Sequence, residues 1–412
     1  MKTRENHATS TKFADFPLAD ADACVKCALC LPHCPTYSLS REEGDSPRGR
    51  IALMQGLARG QLEEQGRIAE HLDGCLTCRA CEAVCPAQVP YGKLIDATRA
   101  AMPASRRHPL LLRMVSWFRQ SPGRIGLLSA LLLGARRTGL AALGSLVPGL
   151  QRHASIARHA AAPLRPGIYE PASEIRGTVA LHLGCLGRSL DVATLKDSIQ
   201  VLNAMGFCVV IPAEQGCCGA LDQHAGEQAR AVRLAGDMQQ VFGKPEFEAI
   251  ISTASGCGLQ LQEQLAGAPV MDVMTFISQH GELLPALLPL AGVEKVLVHR
   301  PCTLKNGMRE TGSLALLEAI PELSVRMLEH AHCCGAAGDH ALTHPQDADR
   351  LGRSLLASLP TDARVIASSN FGCGLHLDRL AGQPLEIVHP VSLLARALPV
   401  PTSHSQETAS TV

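Results

Sequence analysis

The spacing C-x2-C-x2-C-x3-C-P occurs twice, at Cys24, Cys27, Cys30 and Cys34 followed by Pro35, and at Cys75, Cys78, Cys81 and Cys85 followed by Pro86. No other feature limits the fold as strongly. Three thiolates at intervals of three residues wrap one corner of an iron-sulfur cube, but the chain cannot turn tightly enough to bring the fourth to the same cube. Structural zinc is the alternative for eight cysteines, but it usually takes two C-x2-C pairs and not a triplet with a proline-marked fourth. Seventeen cysteines occur in all. The polar N-terminus MKTRENHATSTKFADF has no apolar core of a secretory signal, so a reducing compartment is expected, and with it metal or redox chemistry.

In two-cluster ferredoxins the fourth cysteine of each run serves the other cluster. The expected ligand sets are therefore Cys24, Cys27, Cys30 and Cys85 for one 4Fe-4S cluster, and Cys75, Cys78, Cys81 and Cys34 for the second. Pro35 and Pro86 suit the first turn of a helix, where a missing N–H is no loss. About forty residues separate the runs, and IALMQGLAR and GRIAEHL within them have helical periodicity. An all-α dicluster ferredoxin domain is expected over residues 23–105, after a flexible tail at 1–22. Arg48 and Arg50 either offset the negative charge of the clusters or pair with Glu42, Glu43 and Asp45.

The 38 basic and 38 acidic side chains balance, so no net field attracts nucleic acid. Aromatic residues are 3% of the chain, too few for base-stacking platforms. The apolar stretch from Leu110 to Leu150 is broken by Arg113, Arg119, Arg124, Arg136 and Arg137 and does not read as a transmembrane helix. Residues 106–172 are expected to form a helical linker that packs between domains or rests on a membrane surface.

A second repeat begins near residue 173. Cys185, the pair Cys217-Cys218 and Cys257 recur as Cys302, Cys333-Cys334 and Cys373, at offsets of 117, 116, 116 and 116 residues. Each pair precedes a glycine, in CCGAL and CCGAA. Short apolar runs alternate with helical stretches, and the cysteines fall just past the runs, where the strands of a parallel α/β sheet end and its loops converge. Two CCG repeats are expected, at 173–287 and 288–396, with a flexible tail at 397–412. The four thiols of each repeat suggest an additional metal or cluster, with a redox dithiol as rival; strain disfavours a disulfide between adjacent cysteines. Cys208 in FCVVIP reads as a buried apolar residue. His299, His332 and His376 flank the crevice as hydrogen-bonding residues rather than ligands.

Taken together, CVKCALCLPHCPTY, DSPRGRI, CLTCRACEAVCPAQVPYGKLID, CCGAL, SGCG, CCGAAG and NFGCGLHL resemble the iron-sulfur subunit of glycolate oxidase. The wider superfamily includes lactate-utilisation, anaerobic glycerol-3-phosphate dehydrogenase and heterodisulfide reductase subunits. The resemblance implies an α+β multidomain protein and a role as an electron-transfer subunit in the cytoplasm or at the inner face of the cell membrane. It would take electrons from FAD-containing glycolate oxidase subunits toward a quinone-type acceptor. Corresponding subunits of D-lactate or glycerol-3-phosphate dehydrogenases, and a thiol or disulfide reductase, are the alternatives. The heterodisulfide reductase type ends each repeat in C-x2-C; here Ala254 and Gln260 flank Cys257, and Asn370 and His376 flank Cys373, which disfavours a reductase. No dinucleotide or phosphate-binding glycine motif is present, so hydride chemistry is assigned to a partner.

Overall fold

The computed structural model describes residues 11–102, 110–144, 151–244, 246–265, 267–310, 312–328, 333–382 and 384–399. The first domain is helical, as expected. Its longer helices are Pro47–Ala58, Arg67–Asp73 and Tyr91–Ala101. Ser46 starts the first of these by accepting a hydrogen bond from Gly49 N at 2.9 Å, with Pro47 in the first turn. Their apolar faces meet in a core built on Ile51, Met54, Leu57, Leu72, Leu94 and Ile95. Phe13, Phe16 and Ala21 are buried in the same core, so packed structure already begins inside the tail expected at 1–22. Pro35 opens the helix Pro35–Ser40. Pro86 differs: it lies in a turn, and the next helix waits until Tyr91.

The region expected as a helical linker contains the helices Leu110–Phe118, Pro122–Arg137, Leu140–Gly144 and Gln151–Arg158. It also contains a strand, β1 (Gly167–Tyr169), which pairs antiparallel with β3 (Phe207–Ile211) at the edge of the first sheet. Among the described residues no helix is long and apolar enough to cross a membrane.

The two repeats share one topology. In the first, β2 (Gly177–His182), β3, β4 (Ala249–Ser252) and β5 (Val270–Asp272) lie in the order β1-β3-β2-β4-β5, parallel except for β1. In the second, β6 (Lys295–His299), β7 (Ser324–Met327), β8 (Val365–Ser368) and β9 (Glu386–Val388) lie in the order β7-β6-β8-β9, all parallel. Strands buried on both faces are continuous apolar runs, as AIIS and VIAS are here. A single core joins the repeats: Val179, Leu181, Phe207 and Ile251 from the first pack in one cluster with Val296, Val298, Leu317 and Leu394 from the second. The helix Val192–Ala204 of one repeat lies against Pro390–Ala397 of the other. Ala397 and Leu398 are buried in this core, so the packed chain runs slightly past the end expected at 396.

Candidate metal and electron-transfer site

The two ferredoxin-type loops fold alike. Lys26 and Ala28 around Cys27, and Thr77 and Arg79 around Cys78, all have left-handed backbones, with φ of 56°, 73°, 50° and 56°. Left-handed geometry costs a non-glycine residue about 1–2 kcal/mol, and its recurrence at equivalent positions marks a loop shaped for a task rather than for local comfort. Each loop wraps a cavity. Cys24, Cys27, Cys30, Cys81 and Cys85 line the first, and Cys34, Cys75, Cys78 and Cys81 line the second. The walls thus bring Cys85 to the first run and Cys34 to the second, and Cys81 and Tyr91 border both cavities. All these cysteines are free thiols. Five thiols around the first cavity and four around the second, with largely apolar walls between them, form donor sets that suit an iron-sulfur cluster each.

The two arginines named above divide between their alternatives. Arg48 pairs with Glu43 at 2.7 Å. Arg50 is 1% exposed, donates to Thr36 Oγ1 at 2.8 Å and His71 O at 2.6 Å, and lies 3.4 Å from Asp45. It borders the second cavity, where a buried cation offsets thiolate charge. Glu42, Asp45 and His71 bring three donor atoms within 4.8 Å of one another. They form an ion-pair network, since Arg67 pairs with Glu42 and His71 Nδ1 lies 2.8 Å from Asp45.

Sequence patterns could not reveal the residues that buttress these loops. Tyr91 donates its hydroxyl to Cys75 Sγ at 3.6 Å, and Arg99 donates to the carbonyls of Leu72, Asp73 and Cys75. Both follow the second cysteine run, but no spacing rule connects them to it.

The CCG cysteines lie where strand ends should place them. Cys185 follows β2, Cys217 and Cys218 follow β3, and Cys257 sits in the first turn of the helix Ser255–Gln264 after β4. Cys302, Cys333, Cys334 and Cys373 occupy the same places after β6, β7 and β8. In each repeat the thiols interact in series, Cys185 with Cys217, Cys217 with Cys218 and Cys218 with Cys257, then Cys302, Cys333, Cys334 and Cys373 likewise. The glycine of each motif supports the first thiol of its pair. Gly219 N donates to Cys217 Sγ at 3.5 Å and Gly335 N to Cys333 Sγ at 3.4 Å, with φ of +83° and +87°.

The repeats are not equivalent electrostatically. In the first, Arg119, from the helical linker, is 5% exposed and lies 4.0 Å from Cys217 Sγ and 3.2 Å from Asp222. Hydrogen bonds from Cys185 and Cys218, with this guanidinium, hold the Cys217 thiol well below its ordinary range. In the second, the hydrogen bond from Cys302 favours a Cys333 thiolate, but the bond with Cys334 and burial outweigh it and the thiol is raised. The second repeat instead adjoins the ferredoxin domain. Cys78 and Cys302 pack in one cluster with Leu76 and Cys333, and Asn306 Nδ2 donates to Cys78 O at 2.8 Å. The first repeat meets the same domain through the Arg79–Glu263 ion pair.

His299 bonds Ser368 Oγ through Nδ1 at 2.9 Å, and burial lowers its pKa to about 4. His376 Nε2 bonds Ala348 O at 3.1 Å. Both act as hydrogen-bonding residues in the walls. His332 lies outside the described residues. Cys208 is buried within β3.

The fold and cysteine pattern define a dicluster iron-sulfur protein with a duplicated cysteine-rich domain. The family model for the 4Fe-4S dicluster domain matches residues 20–89, and that for the cysteine-rich domain matches 179–262 and 296–378. The chain is 32% identical to the glycolate oxidase iron-sulfur subunit of Escherichia coli, over 91% of this chain and 94% of that one. It is 30% identical to the probable glycolate oxidase iron-sulfur subunit of Bacillus subtilis, over 91% and 93%. One of the subunits of the anaerobic glycerol-3-phosphate dehydrogenase of Escherichia coli is 25% identical, over 91% and 98%. The chain belongs to the family of glycolate oxidase iron-sulfur subunits.

Proposed function

We propose that this chain is the electron-transfer subunit of a glycolate dehydrogenase, serving FAD-containing partner subunits that oxidise glycolate to glyoxylate, and that its electrons go to a quinone-type acceptor. The observation that carries this reading is the pair of thiol-lined cavities bordered in common by Cys81 and Tyr91. Cys24, Cys27, Cys30 and Cys85 would hold one 4Fe-4S cluster, and Cys75, Cys78, Cys81 and Cys34 the other. When bound, such clusters accept and release single electrons and cannot accept a hydride. The chain's own residues hold the thiols in place: Arg99 fixes the carbonyls leading into Cys75, Tyr91 donates to its sulfur, and Arg50 supplies a buried positive charge. The CCG thiols are assigned to a further cluster or metal; Cys302 and Cys333 of the second repeat pack in one cluster with Cys78.

A location at the inner face of the cell membrane is supported by the segment from 97 to 169, which has no acidic residue and eleven arginines, of which Arg99 and Arg119 are buried. On its helices Met114, Trp117, Leu127, Leu131, Leu140 and Leu143 are exposed. Leucine and tryptophan beside arginine suit an anionic lipid surface.

The test is dye or quinone reduction with glycolate by this chain alone, by the flavoprotein alone and by both. Only the mixture should reduce a quinone. Cys78→Ala should abolish the mixture's activity, and glycolate oxidation by this chain alone would overturn the assignment.

A further inference from the structure

A third cavity lies where the ferredoxin domain meets both repeats. Its volume is about 240 Å³, against the ~10–15 Å³ that one water needs on the same measure. Cys75, Thr77, Arg99, His224, His340 and His344 are among its walls. Cys75 also lines the second thiol cavity, so the two spaces share a wall. His340 is 5% exposed and its Nε2 has no hydrogen-bond partner among the described residues. A buried polar atom in that state is costly, and a ligand that pairs with it removes the cost.

The charge around the cavity selects the ligand. Arg99 is already committed to the carbonyls of Leu72, Asp73, Cys75 and His224, and the carboxylates of Glu70, Asp73 and Asp339 also line the space, which disfavours an anion. The imidazoles of His340 and His344 stack with centroids 4.6 Å apart and planes 10° apart. Burial, then the stacked His344 and the guanidinium of Arg99, lower the pKa of His340 to about 3; the ring is neutral and can donate to a carbonyl oxygen. A neutral, planar ligand with carbonyl acceptors fits this set.

We propose that this cavity binds the headgroup of a quinone, and is the acceptor site of the electron-transfer subunit; this rests on the function proposed above. Reduction of the quinone to the hydroquinone adds two electrons and two protons, one proton to each carbonyl oxygen. The electrons derive from the hydroxy acid oxidised on the partner, and the protons come from water through the neutral imidazoles. The cavity also lies close to helices that expose apolar side chains. The helix Leu110–Phe118, with Met114 and Trp117 exposed, is tied to the helix Ala220–His224 by Ser116 Oγ donating to Asp222 Oδ1 at 3.0 Å and by the Arg119–Asp222 pair. That second helix ends on the cavity wall at His224.

The experiment is calorimetric titration of the full-length, cluster-loaded protein with ubiquinone-1, whose fully substituted ring resists addition of thiols. His340→Ala should weaken binding about tenfold, the loss of one hydrogen bond, and Thr343→Phe, at a further wall residue, should abolish it by filling the cavity. In both, cluster EPR and oxidation of the reduced protein by ferricyanide should match the parent. Absence of binding to the parent, or parental affinity in both variants, would overturn the site. Should a variant lose its cluster signal, protection on the parent decides: bound ubiquinone-1 must slow modification of His344 by diethyl pyrocarbonate, and an unchanged rate rejects the proposal. Arrival of partner electrons at ferricyanide without quinone binding rejects this site and keeps the carrier reading. Quinone binding without arrival of partner electrons does the reverse.

Discussion

Substitution of alanine for each CCG glycine should separate the two repeats by a margin readable from the structure. Gly219 and Gly335 both have left-handed backbones, at φ +83° and +87°, so either change costs about 1–2 kcal/mol for the conformation alone. At Gly219 the added Cβ meets its nearest backbone atom, Ala231 O, at 3.3 Å, a contact that a shift of a few tenths of an ångström relieves. At Gly335 it would lie 2.4 Å from Ala348 O and 2.9 Å from Ala348 Cα, so the helix Pro345–Ala357 must move. Forcing apart packed backbone adds about 1–3 kcal/mol. Gly335→Ala should therefore lose roughly 2–5 kcal/mol, and Gly219→Ala roughly 1–2. A multidomain, cofactor-binding chain need not unfold in two states, so the quantity to compare is the midpoint of urea unfolding of each variant, prepared without metal under one set of conditions. Equal midpoints, or a lower one for Gly219→Ala, would refute the steric reasoning.

Cys34→Ala should remove the EPR signal of the centre assigned to Cys75, Cys78 and Cys81 and spare the other; loss of the centre assigned to Cys24, Cys27 and Cys30 would contradict the crossed arrangement. Cys218→Ser and Cys334→Ser should each lower total metal while ferredoxin-type signals persist, and unchanged iron and zinc in both would reduce the CCG motifs to structural loops. Asp272 is buried, and burial with the nearby Glu310 raises its pKa to about 8, while its Oδ1 accepts from Met274 N at 2.9 Å to cap a helix. A raised folded-state pKa means that its contribution is full below about pH 4 and is lost as pH rises toward 8. Asp272→Asn keeps the cap, so its unfolding midpoint should gain on the parent's as pH goes from 5 to 8, and parallel profiles would contradict this.

The ferredoxin cysteines and the placement of the CCG thiols were legible because local rules govern both. Ligand spacing is a property of a short loop, and strand ends follow from alternating apolar and helical runs. Pro86 misled because a proline suits a turn as well as a first helical turn, and the choice depended on Gln88, which adopts φ 49° ahead of the helix at Tyr91. Strand β1 escaped because three residues beside prolines show no periodicity; it exists because β3 offers an open edge. The packing of Cys78 against Cys302, the reach of Arg119 to Cys217, and the three-way cavity at His340 join residues roughly a hundred or more positions apart. Such contacts arise from the docking of domains, which no local pattern encodes.

The most direct measurement of the central claim is freeze-quench EPR of this protein mixed anaerobically with its flavoprotein partner and glycolate. Reduced 4Fe-4S signals should appear only when all three are present, and oxidised ubiquinone-1 should then discharge them. Signals that appear with glycolate in the absence of the partner, or that never appear with it, would contradict the account.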